Sequence, residues 1–272
     1  MEKKYKLTEE TINVANRTLY RIEALRDFCD VKKGDKGGFV EKEENLSQSD
    51  NCWIYYSAKV YDNARVLDNA IVYGYAEVYS DAIVYGYAMV YGNAEVFGNA
   101  RVYGYAEVCG NAKVYDYAEV YGKAEVYGNA KVYDYAEVCG NAKVYDYAEV
   151  YDKAWVYDNA EVFNNAQVYC NALVADNARV FGKAVVRDNA MVRGDAVVYD
   201  NAKIYGYALV GQNAKVYDNA KVFENADVYG NARIYGNAQV SGNAQVFEDA
   251  VIYGNAIVRG DAVVCDNTKL CD

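Results

Sequence analysis

The 272-residue sequence contains no histidine and no proline. Histidine is the commonest general base near neutral pH and the commonest metal ligand. Its absence excludes Ser-His-Asp and Cys-His catalysis and any imidazole-ligated metal centre. Basic residues are also scarce: 28 Lys and Arg stand against 39 Asp and Glu, a formal net charge of −11. A binder of the phosphate backbone needs a basic face, so direct nucleic-acid binding is not expected. No apolar run approaches the roughly 18 residues of a membrane span. Residues 1–6 are charged and lack the apolar stretch of a signal peptide. The seven cysteines, at 29, 52, 109, 139, 170, 265 and 271, form no CxxC or zinc-ligand pair. Several replace a Tyr of neighbouring repeats, so they read as free thiols in a reducing cytoplasm. No metal and no cofactor is expected.

What is present is a repeat. From Trp53 onward the chain has a period of six, as in Tyr-Asp-Asn-Ala-Arg-Val over residues 61–66. Ala fills 35 of the 36 slots between Ala58 and Thr268, and every slot two residues later, from Val60 to Val264, is Val or Ile. Residues two apart in a strand point to the same side, so Ala and Val face inward and the residue between them faces solvent. The next slot is Tyr or Phe in 25 of 36 cases, followed by Gly or Asp and then Asn, which tolerate a tight corner. Each hexad is a short strand and a turn. A heptad helix is excluded by the period and by β-branched Val in the core slot.

Val60 with Ala64, and Val66 with Ala70, resemble the hexapeptide repeat of left-handed parallel β-helices: an aliphatic inward residue and a small one four positions on. That resemblance implies three hexads per 18-residue triangular coil, hence about 12 coils from 36 hexads and a rod of about 58 Å. The Tyr after each Val departs from the usual small or acidic residue, so some difference in corner geometry is expected. Further upstream, Arg26-Asp27-Phe28, Gly34-Asp35-Lys36-Gly37-Gly38-Phe39-Val40-Glu41, Asn45-Leu46-Ser47 and Trp53 resemble the N-terminal signature of YdcK-like bacterial and phage proteins. That family is commonly assigned as transferases on fold alone, and a fold does not carry an activity.

Two segments are expected: 1–52, a β-rich N-terminal cap covering the solenoid edge, and 53–272, the β-helix. Within the cap, Leu19 to Leu25 reads as a strand, and Gly34, Gly37 and Gly38 as tight turns in a hairpin ending near Val40. The C-terminal edge reads as poorly protected. Catalysis is not expected. Related acyltransferases use a His base and their carbonic anhydrase relatives three His ligands, and the chain has none to carry over. Residues 109–121 also recur as 139–151, an offset of 30 that is five hexads but not a whole number of coils, so the duplicated block changes face.

Every eighteenth residue lies on one face. In the outward slot one face reads Arg101, Glu119, Glu137, Trp155, Leu173, Met191, Leu209, Asp227: four large apolar residues in successive coils. The neighbouring column carries Tyr157, Ala175, Arg193 and Gly211, and Val185 and Val197 lie on the other two faces at the level of Met191. Such a patch reaches a few hundred Å², the size that marks an interaction site. Trp155, Leu173, Met191, Leu209, Val185, Val197, Tyr157 and Arg193 are therefore the expected protein interface, for a homo-oligomer (dimer or trimer) or another protein. The alternatives are an acidic decoy that occupies a basic groove, as in phage counter-defence, and an acyl or sugar-nucleotide transferase with non-His chemistry. Mixing of Glu with Lys along the columns disfavours the decoy. The Tyr columns occur on all faces and read as structural stacks.

Overall fold

The computed structural model describes residues 3–272; Met1 and Glu2 of the charged N-terminal stretch lie outside them. Among the described residues the regular structure is β apart from one 3-10 turn, Glu43–Asn45. Three N-terminal strands, β1 (Tyr5–Val14), β2 (Arg17–Ala24) and β3 (Lys36–Val40), precede 37 short strands running from Trp53–Ile54 to Lys269–Cys271. The repeat strands pair in parallel at an offset of 18 residues, as Lys59 with Glu77, Arg65 with Ile83 and Ile71 with Met89. Three strands thus make one turn. The stacking extends back to Val40 on Val60 and Leu46 on Val66, which brings the solenoid to about 13 turns where the hexads alone account for about 12. The chain is a parallel β-solenoid.

The inward columns are closed to solvent. Every repeat Ala from Ala58 to Ala250, and every repeat Val or Ile from Val60 to Ile252 in the core slot, is fully buried. Each buried Val contributes about 1.5–3 kcal/mol, and the strand backbone pairs with the next turn: Trp155 N–H donates to Ala172 (2.9 Å) and Tyr157 N–H to Val174 (3.0 Å). At the corners the Gly or Asp slot takes a left-handed conformation, with φ near +57° at Asp62 and +74° at Gly74. Aspartates there also accept the amide of the next turn, as Asp176 from Gly194 N–H at 2.8 Å. Asn side chains form ladders between turns, for example Asn141 to Asn159 (3.0 Å) to Asn177 (3.1 Å).

This corner makes a sharp prediction. A Cβ on Gly182, at φ +72°, would lie 2.7 Å from the backbone nitrogen of Asp200. Aspartate meets the same corner by a small change of φ, as Asp176 and Asp188 do. Gly182→Asp is therefore expected to fold with near wild-type stability, whereas β-branched Gly182→Val loses about 1–3 kcal/mol. Urea unfolding followed by circular dichroism measures the difference; equal midpoints would contradict the assignment of this corner.

Contacts divide the chain into two compact units, one ending at Asp134 and one beginning at Tyr135. The first unit contains the N-terminal segment. β1 and β2 form an antiparallel hairpin through Ala15 and Asn16, both at positive φ, a pairing suited to a two-residue turn. β2 pairs antiparallel with β3, and β3 runs parallel to Lys59–Val60. Trp53 is buried under the rings of Tyr5 (6.1 Å) and Phe28 (5.3 Å). The buried Lys4 ammonium is satisfied by the carbonyls of Cys52 (2.8 Å) and Ser49 (3.1 Å), and burial holds its pKa below the usual lysine value. Gly34 makes a turn, at φ +93°. Gly37 and Gly38 do not: they lie inside β3, where a Cβ would meet Ile54 O at 2.6 Å and Ala58 O at 2.5 Å. Close approach of strands, and not chain reversal, is what they permit.

Tyrosines of the aromatic slot stack along the turns of each unit. Tyr79, Phe97 and Tyr115 are spaced 4.9 Å apart in the first, and Phe163, Phe181 and Tyr199 4.7 and 5.1 Å apart in the second. In the first unit their hydroxyls donate to a Glu of the next turn: Tyr61 to Glu77 (3.0 Å), Tyr91 to Glu107 (2.8 Å) and Tyr103 to Glu119 (2.9 Å). Burial, and then the neighbouring carboxylate, raises the pKa of Tyr61 and Tyr79, while burial beside Tyr169 pushes Tyr151 up to about 12. A phenol that keeps its proton in the folded state and loses it near pH 10 when unfolded makes the native state bind more protons above pH 10. Its stabilising effect is complete below pH 10 and is lost as pH rises through the folded value. The unfolding midpoint is therefore expected to fall progressively above pH 10, in step with phenolate absorbance; a midpoint constant through this range would contradict the stacked, half-buried placement.

Candidate interaction surface

All of the interface residues expected from the sequence lie in the second unit. Parallel register stacks Trp155 on Leu173, Leu173 on Met191 and Met191 on Leu209, with Glu137 before Trp155 and Asp227 after Leu209. Their neighbours Val156, Val174, Val192 and Val210 point inward and are fully buried, so the four apolar side chains project outward. Trp155 is 46% exposed and Met191 37%, while Leu173 and Leu209 are half-buried between them. Tyr157 packs its ring edge-on to Trp155, with centroids 6.5 Å apart. In the same column Ala175 is buried, Arg193 exposed and Gly211 buried. Val185 and Val197 lie on the other two sheets, flanked by Gln167 and Lys203 and by Arg179 and Lys215. The structure thus brings six of the eight residues together and leaves these two valines as single apolar positions among polar ones.

Elsewhere many outward slots hold charges that pair between turns: Lys59 with Glu77 and Lys113 with Glu95, both at 2.7 Å, and Arg179 with Glu161 at 3.2 Å. The stripe breaks both this pattern and that of Tyr donating to Glu, because the position a turn beyond Tyr157 is Leu173. The same repeat is recognised from outside the chain. The family model described as the YdcK beta solenoid repeat matches residues 58–74 and 226–242. The chain is a YdcK-like β-solenoid. The uncharacterized acetyltransferase YdcK of Escherichia coli (strain K12) is 39% identical over 61 residues, covering 20% of this chain and 19% of that relative. The matched stretch spans about a fifth of the relative's length.

Residues beyond the expected set complete the surface. Loss of the aromatic at Gly211 opens a depression of about 430 Å³ between Arg193, Leu209 and Tyr229, with Asp176 and Asp227 on its rim. Burial raises the pKa of Asp227, opposed by the Arg193 charge. Above the gap the aromatic column resumes, with Tyr229 and Phe247 stacked at 5.0 Å. Reading the aromatic and outward columns together at a spacing of 18 is the signal that finds these residues. A larger groove, about 900 Å³, runs along one corner past Asp146, Lys183, Asp200 and Asp218. Its polar groups serve the solenoid itself, as Asp218 accepts Gly236 N–H at 3.0 Å and Asn219 donates to Asn237 at 3.3 Å. Among the described residues, Glu248, Cys265 and Asp266 bring three potential metal-ligand atoms within 4.8 Å of one another, on the surface. Among the described residues, no helix is long and apolar enough to cross a membrane.

Proposed function

We propose that this YdcK-like solenoid is a non-catalytic scaffold that docks protein on the stripe of Trp155, Leu173, Met191 and Leu209, with self-association as its first use. The observation that carries this reading is the run of four large apolar residues in successive turns of one column, in a slot that elsewhere often holds charges paired between turns. Desolvating paired Lys and Glu is costly, whereas covering Trp, Leu and Met is favourable at about 25 cal/mol per Å². The charge pairing also argues against an acidic decoy, since the acids that would imitate a phosphate row are partly neutralised within the chain. A cytoplasmic location is proposed on the seven free thiols.

Acyl transfer is the second reading, carried by the acetyltransferase name of the relative. It would have to proceed without an imidazole base. Incubation with acetyl-CoA is expected to leave the melting temperature unchanged; a clear rise would favour this second reading. For the scaffold, light scattering after gel filtration at two concentrations is expected to give about twice the monomer mass of 30.3 kDa. A mass of 30.3 kDa at both would remove self-association.

A further inference from the structure

Taking the stripe as a protein-docking face, we propose that two copies pack antiparallel about a two-fold axis crossing the stripe between Leu173 and Met191, with Tyr157 of each seated in the gap at Gly211 of the partner subunit.

The column beside the stripe alternates large and small: Tyr157, Ala175, Arg193, Gly211. A two-fold axis across the columns reverses the order of the turns and sets each column against itself. Tyr157 then meets Gly211 of the partner subunit, and Arg193 meets Ala175 of the partner subunit. One turn further out, Tyr229 meets Cys139 of the partner subunit. Within the stripe, Trp155 lies over Leu209 of the partner subunit and Leu173 over Met191 of the partner subunit. A bulky side chain faces a small one at each level of the neighbouring column, the self-complementarity that an isologous interface requires.

Gly211 is not there for its backbone. The other repeat glycines occupy the left-handed corner slot, whereas Gly211 sits in the aromatic slot without a positive φ. A Cβ on it would make ordinary contacts, 3.7 Å from Leu209 Cδ2 and 3.9 Å from Arg193 Cγ. A side chain fits, so the gap is a feature of the surface and not of the turn.

Charge supports the same arrangement. Arg187 pairs with Asp188 at 3.3 Å and lies over the Tyr205 ring at 4.6 Å. Among the described residues, no side-chain hydrogen bond or ion pair engages the Arg193 guanidinium. In the antiparallel pair it extends over Ala175 of the partner subunit toward the adjacent Asp176 of the partner subunit. A parallel pair would instead set Trp155 on Trp155 of the partner subunit, knob on knob, and would put the two Arg193 columns on opposite flanks, away from Ala175 of the partner subunit and Asp176 of the partner subunit. The one adverse facing in the antiparallel pair is Glu137 with Asp227 of the partner subunit, where Asp227 lies beside its own Arg193 on the rim of the depression.

The test is a knob-and-hole exchange in the full chain, with folding checked by circular dichroism. Gly211→Tyr fills the hole and Tyr157→Gly removes the knob. Because each contact occurs twice in the dimer, either substitution alone is expected to weaken dimerisation by about 100-fold or more. The double variant Tyr157→Gly with Gly211→Tyr swaps knob and hole and is expected to restore the dissociation constant to within about tenfold of wild type. Single variants that dimerise normally, or a double variant that stays as weak as the singles, overturn the two-fold arrangement. If Trp155→Asp with Leu173→Asp is monomeric while Gly211→Tyr remains dimeric, the docking stripe stands and only the arrangement falls. If wild type is a monomer, or if the Trp155→Asp with Leu173→Asp protein dimerises as wild type does, the docking reading fails with it.

Discussion

Val174→Asp is expected to melt the turns around it, while Leu173→Asp, one residue earlier, leaves folding intact. Val174 is fully buried and stacked between Val156 and Val192 in a column that is closed to solvent and holds no basic residue. A carboxylate placed there either stays charged without a partner or takes up a proton at neutral pH, and either course costs several kcal/mol. That is a large share of the roughly 5–15 kcal/mol by which ordinary domains are stable. In a solenoid each turn contacts only its neighbours, so the damage begins locally and spreads by loss of the stacking interface. Leu173 projects outward between Trp155 and Met191, where a carboxylate remains hydrated. Circular dichroism of the two variants during thermal unfolding separates them. If Val174→Asp melts as wild type does, the assignment of inward and outward sides is wrong.

The inward and outward sides were legible in the sequence because the solenoid repeats one decision every six residues. Ala178, Val180 and the left-handed corners at Asp176 and Gly182 follow from spacing and residue type alone. The N-terminal segment repeats nothing, and less of it is legible. β1 lacks a clean alternation because its pairing with β2 shifts register between Leu7 and Thr11, which breaks the period-two pattern that marks a strand. Gly37 and Gly38 suggest turns by composition, but their role depends on Ile54 and Ala58, strands away along the chain.

At the candidate surface the stripe itself was visible by reading every eighteenth residue. The register of Trp155, Leu173, Met191 and Leu209 follows directly from an uninterrupted repeat. The depression beside it was visible only in part. Substitution of bulky aromatics by Ala175 and Gly211 reads from sequence as a flattening of the surface. That Arg193, Asp227 and Tyr229 then converge on the vacated space depends on side-chain reach between turns. The donation of Tyr61 to Glu77, at a separation of 16, likewise joins two different slots of successive turns and leaves no mark on a single column.

The second large effect concerns assembly. Trp155→Asp combined with Leu173→Asp places two carboxylates in one half of the apolar stripe without touching the buried Val156 and Val174. Aromatic anchors at the centre of an interface commonly account for 2 kcal/mol or more each, and burying a new charge opposite Met191 or Leu209 adds a desolvation cost. The two terms together raise the dissociation constant by about 1,000-fold or more. Light scattering of this variant beside wild type, after gel filtration at matched concentration and with circular dichroism to confirm the fold, is the most direct test of a docking stripe. The expected result is a wild-type assembly of about twice 30.3 kDa and a folded variant of 30.3 kDa. A folded variant that retains the wild-type mass would contradict it.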